Sequence, residues 1–488
     1  MHDERELAER RIDRELWERV LPLVHVERCS LGVTAGPTPD EQHEFTVGTK
    51  WGAPWTTTWF RLSGDVPTAW RHSPPSTRVE AVIDLGFNRS PAGFQAEGMV
   101  VERGPDGAVR PLQGIHPRRT NYVIDDATAV DLLVEAASNP TFPQFVPTRQ
   151  GLPETASDAP LYRFRTADLV LVDVDVEALV HDLDVLDGLM RARAVSDSQR
   201  TKLRAAIVAA LDAIPDVDRA RRLLAPYLEP VAGSARRHRV IATGHAHIDT
   251  AWLWPTRETI RKCTRTFASA IALMDEDPTY RFSCSQAQQY AWIEDRHPVL
   301  FERIRDKAET GQWIPVGGMW VEADMNLPSG ESLARQIVHG QRYFERHFGA
   351  PCREVWIPDV FGYPAGLPQL FAAGGMHRFV TQKLSWNKQN RFPHHTFWWE
   401  GLDGTRLLTH FPPVDTYNAE ITPAELVHSV ANFKEHAWSD ASLMPFGHGD
   451  GGGGPTREML ERARRLASVD PDVQLEIGSP DDYFTIVE

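Results

Sequence analysis

Residues 244–255 read GHAHIDTAWLWP, directly after the apolar, β-branched run RVIAT at 239–243. The run predicts a strand. On an extended chain alternate residues point to the same side, so this spacing would aim His245, His247 and Asp249 at one point. Imidazole nitrogen and carboxylate oxygen are the donors that a borderline-soft dication accepts. The plainer alternative is a strand end carrying solvated or core histidines. Two histidines and an aspartate in alternation favour the metal.

Outward from this stretch, strands and helices alternate. YRFSCSQ (280–286), EVWIPD (354–359), RFVTQK (378–383), TRLLTHFPP (405–413) and LMPFG (443–447) read as strands. Helices fall between them, one over 258–276 and another opened by Ser329. The alternation predicts a parallel α/β sheet, open or closed into an incomplete barrel. Residues with chemistry fall at the strand ends: His247 and Asp249, Asp359, Asp415, then His448 and Asp450. That edge is where α/β folds build active sites.

Upstream the texture differs. Residues 5–23 read as an amphipathic helix. Short β-branched runs such as TTTWFRLSG and TADLVLVDVDV, separated by Gly, Pro and Asp turns, predict an all-β sandwich over 45–176. Apolar spacing at i, i+3 and i+4 then predicts helices from 177, and LEPVAGSARRHR (228–239) reads as a linker. The expected organisation is a helical segment over 1–44, a sandwich over 45–176, a helical linker over 177–235 and an α/β domain over 236–488.

A chain of 488 residues is too long for one core. Its net charge of −15 argues against nucleic acid and against an anionic membrane surface. The charged N-terminus lacks the apolar core of a signal peptide, and no run of about 18 apolar residues is present. Four scattered cysteines without a Cys-x-x-Cys pair fit reduced, buried thiols. With no export signal, the Asn88–Ser90 glycosylation triplet is incidental. The expected location is the cytoplasm.

Two further motifs carry chemistry. In WIPDVFGYP, a strand ends in Asp359, followed by Phe361 and Tyr363. Aromatic rings beside a carboxylate suit a sugar, whose apolar face stacks on them, although an aspartate can also cap the next helix. PFGHGDGGGGPT lacks the Lys-Ser/Thr of a phosphate-binding loop. Its glycines would let backbone close around a small ligand and present Asp450. GGMWVEADMNLPSGE (317–331), with Trp320, Glu322, Asp324 and Asn326, reads equally well as site or as polar loop.

With GHAHIDTAWLWP, WIPDVFGYP and GHGDGGGGPT in this order, the chain resembles glycoside hydrolase family 38. More narrowly it resembles the cytosolic and vacuolar class of α-mannosidases and their bacterial relatives. The likeness is strong over 236–488 and extends to GTKWGAPWTTTWFRL in the β-rich front. It implies a seven-stranded β/α barrel. It also implies a retaining α-mannosidase that removes terminal α-D-mannose from oligosaccharides by metal-assisted double displacement, with one zinc, or cobalt, per chain. By the same resemblance His247, Asp249 and Asp359 are metal ligands, and His245 is a supporting residue. Asp359 is also the nucleophile and Asp450 the acid/base, supported by Asp415. Trp252 and Phe361 line the mannose pocket, and Lys383 is a polar pocket residue. The family's fourth ligand, a histidine in a later His-Asp motif, has no counterpart before Glu488. That predicts a truncated chain, inactive alone and partnered by its missing C-terminal segment or a second copy, or a form in which His448 completes the site. Two competing classes are a catalytically silent carbohydrate-binding remnant and a metal-dependent amidohydrolase or deacetylase. The latter would need further histidines on the middle strands.

Overall fold

The computed structural model describes residues 4–72, 74–104, 106–125, 128–141, 157–192, 195–230, 237–467, 469–470 and 472–488. The chain divides into two units. One comprises Met1–Ala232 with Thr422–Val427 and Arg464–Asp470; the other comprises Gly233–Ile421, His428–Ala463 and Pro471–Glu488.

In the first unit two antiparallel sheets face each other. One runs in the order His43–Glu44, Gly32–Gly36, Thr57–Asp65, Ala129–Ala137, Glu97–Arg103, Val109–Ile115. The other runs His25–Ser30, Thr166–Asp173, Thr77–Asp84, Asn121–Val123. Inward residues of both, among them Phe60, Leu62 and Val134 with Ile83 and Leu169, make one apolar core. This is the expected sandwich. It begins earlier than the sequence suggests: the helical segment ends at Val24 and strands start at His25. No residue of His25–Ser30 is buried, so HVERCS carries no apolar alternation to announce it.

The helices expected after the sandwich are Val174–Arg191, Asp197–Ala213 and Val217–Leu224. Asp173 caps the first through the Asp175 and Val176 amides, and Ser196 with Gln199 forms a capping box on the second. They are more than a linker, because they share a core of Leu183, Leu186, Ile207 and Leu211 with Ile12 and Leu16 of the N-terminal segment. Of the linker expected over 228–239, residues 231–236 lie outside the described residues.

The second unit is built on parallel strands. Central strand His238–His245 pairs with Ala441–Phe446 along one side. Its other side is shared by Val473–Ile477 at the start and Phe282–Cys284 at the end, and Trp313–Pro315 extends the sheet. A second sheet joins Glu354–Trp356, Arg378–Val380 and Arg406–His410 in parallel, with Thr396–Glu400 antiparallel at its edge. The central strand is buried along nearly all its length, as a strand covered on both faces must be.

The closed seven-stranded barrel is not what the pairing shows. Five strands and four strands form two sheets, and neither closes. At one seam Pro315 ends its strand without an N–H to donate, and a backbone hydrogen bond from Gly317 N to Glu354 O (3.1 Å) bridges the sheets. At the other seam a side chain intrudes: buried His410 accepts the Leu443 N–H at Nε2 (3.2 Å). Its Nδ1 meets Thr396 Oγ1 and the Tyr483 hydroxyl. Isolated bonds there take the place of ladders.

Candidate active site at the strand ends

The central strand stops at His245, and this breaks the alternation that would have aimed three side chains at one point. His245 is fully buried and accepts a hydrogen bond at Nε2 from the Trp356 indole (2.9 Å). Burial, aided by neighbouring His247, pushes its imidazole down to about 3. It is a neutral core histidine. His247 and Asp249 lie past the strand, where the backbone has left the ladder.

His247 Nε2 lies 3.4 Å from Asp249 Oδ1 and 3.5 Å from Asp359 Oδ2. The ligand atoms of these three residues all fall within 4.8 Å of one another. On the far side of the ring, Nδ1 lies 3.0 Å from Glu322 Oε2, while Glu322 Oε1 accepts from Ser285 Oγ at 2.5 Å. Burial alone would lower the His247 pKa; Glu322, Asp249 and Asp359 reverse that and hold it well above the usual imidazole range. Both ring nitrogens are buried and neither makes a well-aligned hydrogen bond. A buried nitrogen left over between two carboxylates fits a dication, and a carboxylate behind the other nitrogen orients a metal-bound imidazole. The donor set of one nitrogen and two carboxylates suits zinc or a similar ion. His448 is not in the gathered group.

Asp359 follows strand Glu354–Trp356 after Ile357 and Pro358, and its two oxygens face different partners. Oδ2 faces His247, and Oδ1 accepts the Tyr417 hydroxyl at 2.9 Å and pairs with the Lys383 ammonium. The same Tyr417 oxygen is 3.2 Å from Asp450 Oδ1, and Asn418 Nδ2 donates to Asp450 Oδ2 at 3.4 Å. One hydroxyl therefore spans both carboxylates. Burial would raise the Asp359 pKa, but His247 and Lys383 outweigh it and hold the group below the usual range. Burial raises Asp450, with Asp359 and Asp249 adding to it against the pull of His247. Burial beside the two carboxylates also raises Tyr417, which keeps its proton as a donor.

The glycine-rich loop presents Asp450 by crowding. A Cβ on Gly449 would come 2.2 Å from Asn418 Oδ1, and one on Gly447 would come 2.2 Å from the His245 carbonyl. Asp450 itself sits at φ 54°, a region that aspartate tolerates better than most residues.

The remaining expected residues divide. Lys383 reaches the centre, and its ammonium also lies over the rings of Trp386 (3.7 Å) and Phe361 (4.8 Å). Phe361 is 78% exposed and Trp252 46% exposed, in the loops that follow the carboxylates. Asp415 turns elsewhere: its Oδ2 meets His428 Nε2 at 2.9 Å and accepts from Asn432 Nδ2 at 3.1 Å. The groups that contact Asp450 are Tyr417 and Asn418. Tyr417 carries no motif of its own, and its position two residues past Asp415 near a strand end is the one signal that could have marked it. The sequence does not separate Glu322 from Asp324, which caps the Asn326 and Leu327 amides as an ordinary loop aspartate does.

Residues 237–488 match the glycosyl hydrolases family 38 N-terminal domain, and residues 25–170 match the alpha-mannosidase jelly roll domain. The chain is 39% identical to Alpha-mannosidase 2C1 of Homo sapiens over 457 residues, which is 91% of this chain and 42% of that protein. It is 36% identical to Alpha-mannosidase of Saccharomyces cerevisiae over 473 residues, 92% of this chain and 42% of that one. It thus spans less than half the length of these relatives. An α-mannosidase structure from Enterococcus faecalis V583 superposes with a TM-score of 0.44 at 20% identity, over 51% of this chain and 29% of that one. No helix among the described residues is long and apolar enough to cross a membrane.

Proposed function

The chain belongs to glycosyl hydrolase family 38, and from that premise we propose that it is a retaining α-mannosidase acting on terminal α-D-mannose of oligosaccharides. One observation carries the reading: the Tyr417 hydroxyl spans Asp359 and Asp450 beside the His247–Asp249 pair. Carboxylate oxygens 2.9 and 3.2 Å from one hydroxyl lie no more than about 6 Å apart, short of the roughly 6.5–9.5 Å of single displacement and compatible with the roughly 5–5.5 Å of double displacement.

Asp359 attacks the anomeric carbon and forms the glycosyl ester. Lys383 and Tyr417 hold its Oδ1 and favour the ionised form. Asp450, buried among other carboxylates, carries the proton for the leaving oxygen and then withdraws one from water. Tyr417 and Asn418 fix its orientation. The exposed faces of Trp252 and Phe361 offer apolar surface to a sugar ring. His247 Nε2, Asp249 and Asp359 would hold a zinc-type dication, whose chemistry there is Lewis-acid stabilisation of charge on the sugar. A deacetylase site would need more histidines, and the gathered group among the described residues holds one. We place the protein in the cytoplasm, a reading supported by four unpaired cysteines.

The test is hydrolysis of aryl α-mannoside against aryl α-glucoside, with bound metal measured on the same sample. Selective mannoside turnover that falls when a chelator removes the metal is the expected result. Metal retained at one ion per chain with no glycoside turned over would defeat the reading.

A further inference from the structure

A cavity of about 140 Å³ lies beside the proposed centre and is lined by none of the metal-site or acid/base residues. Its walls include Arg391, Lys434, His395, Asp415 and Phe392. A short path joins it to the chemistry. The Trp386 indole N–H donates to the Asp415 carbonyl (2.8 Å), and the same indole stacks on Tyr417 with centroids 5.8 Å apart and planes at 21°. Tyr417 is the residue whose hydroxyl spans Asp359 and Asp450.

Two cations, Arg391 and Lys434, line this cavity in a chain that is −15 overall. The loop LSWNKQNRFPHH (384–395) holds Lys388, Arg391 and two histidines and no acid. Two acids adjoin the cavity, and both are taken up by donors. Asp415 is held by His428 and Asn432. Glu435 Oε2 accepts the His395 and Thr396 amides at 3.1 and 3.2 Å, and its Oε1 lies 3.1 Å from His394 Nδ1. Arg391 and Lys434 have no ion pair among the described residues; Lys434 Nζ reaches only Asn432 Oδ1 at 3.4 Å. His395 is 6% exposed, and its Nδ1 is buried without a protein partner. A buried nitrogen left unmet is destabilising until a ligand group satisfies it.

We propose that this cavity is a subsite for a phosphate group carried on the saccharide at the leaving-group side of the scissile bond. Its placement on that side rests on the mannosidase reading; the capture of an oxyanion does not. A guanidinium fork and an ammonium are the side chains that bind phosphate oxygens. The volume suffices for one small oxyanion, since a single water needs roughly 10–15 Å³ on this measure.

Titration calorimetry with inorganic phosphate tests the capture. Wild type should bind saturably, and Arg391→Gln should weaken binding about tenfold, the loss of one charge-assisted contact. Arg335→Gln, on the exposed face of helix Gly330–Phe348, should leave it unchanged. No saturable binding, or equal loss in both variants, overturns the proposal. A second titration compares a neutral α-mannobioside with the same disaccharide phosphorylated on its reducing-end sugar. The phosphorylated form should bind about tenfold tighter, and Arg391→Gln should erase the difference. Phosphate binding without that preference would mark a site for free phosphate and overturn the subsite. Neither titration needs turnover, so a chain that hydrolyses no mannoside would defeat the hydrolase reading and leave both results readable.

Discussion

The two edges of the parallel strands in the second unit carry opposite kinds of charge. At the starting edge the arginines are matched, and the buried Glu354 carboxyl is raised to about 7 by burial. Arg239 binds Glu476 through two hydrogen bonds of 2.9 and 3.0 Å, and Arg378 binds Glu488 at 2.6 and 3.0 Å and pairs with Asp481. At the finishing edge Asp249, Asp359 and Glu322 crowd one imidazole, Asp450 stands behind them, and Lys383 pairs with Asp359. The same strands supply both edges, so the fold does not dictate the difference. Matched charge serves stability; gathered, unmatched carboxylate is what catalysis and metal binding require.

The contrast can be broken one residue at a time. Asp359→Asn should have the largest effect: turnover of aryl α-mannoside falls by about four orders of magnitude or more. The melting temperature should fall modestly, because the amide leaves the nearly buried Lys383 ammonium and the His247 ring without their carboxylate partner. Next, Asp450→Asn should cost about 10²–10³ on a methyl mannoside and about tenfold or less on a dinitrophenyl mannoside, which needs little protonation. Equal losses on both substrates would remove Asp450 from the acid role. Glu322→Gln should weaken metal binding about 10–100-fold, as loss of a partner behind a ligating imidazole does; competition with a chromophoric chelator reads it.

The starting edge should respond in stability alone. Arg378→Met strips Glu488 of its partner and leaves Asp481 with Arg353 alone, both acids being partly exposed, so the cost is about 1 kcal/mol by urea unfolding, with turnover unchanged. His238 contributes one pH dependence at that edge, opposed by the Glu354 carboxyl, which burial raises to about 7. His238 is buried against Ser442, and burial pushes its imidazole down to about 4. Above about pH 6.5 both folded and unfolded forms are neutral there. As pH falls from about 6.5 towards 4 the unfolded chain takes up a proton that the folded chain refuses, so its contribution to stability declines across that window. A pH slope over this window that is the same in wild type and in His238→Gln would contradict this placement of His238.

What the sequence discloses follows the same division. Most parallel strands of the second unit are legible because they are apolar runs bounded by turn residues, and the carboxylates at their ends mark the functional edge; Thr396–Glu400, Val473–Ile477 and the pairing order are not. Closure is not legible, because it depends on backbone bonds at two seams, one ended by Pro315 and one occupied by the His410 ring. Alternation in GHAHID overreaches: periodicity cannot show that the strand stops at His245 and turns that ring towards Trp356. Glu322 and Tyr417 escape because their value lies in contacts with His247 and Asp359, far away along the chain, and nothing in their local sequence separates them from loop residues. In the first unit, HVERCS hides a strand because nothing on it is buried.

The central claim is that Asp359 forms a covalent bond to mannose while Asp450 does not. Incubation with a fluorinated mannosyl fluoride that traps the glycosyl ester, followed by proteolysis and peptide mass spectrometry, tests it directly. The account predicts one mannosyl label per chain, on Asp359, and none in Asp359→Asn. A label on Asp450, or turnover in which no ester can be trapped and the first product released is the β-anomer, would contradict it.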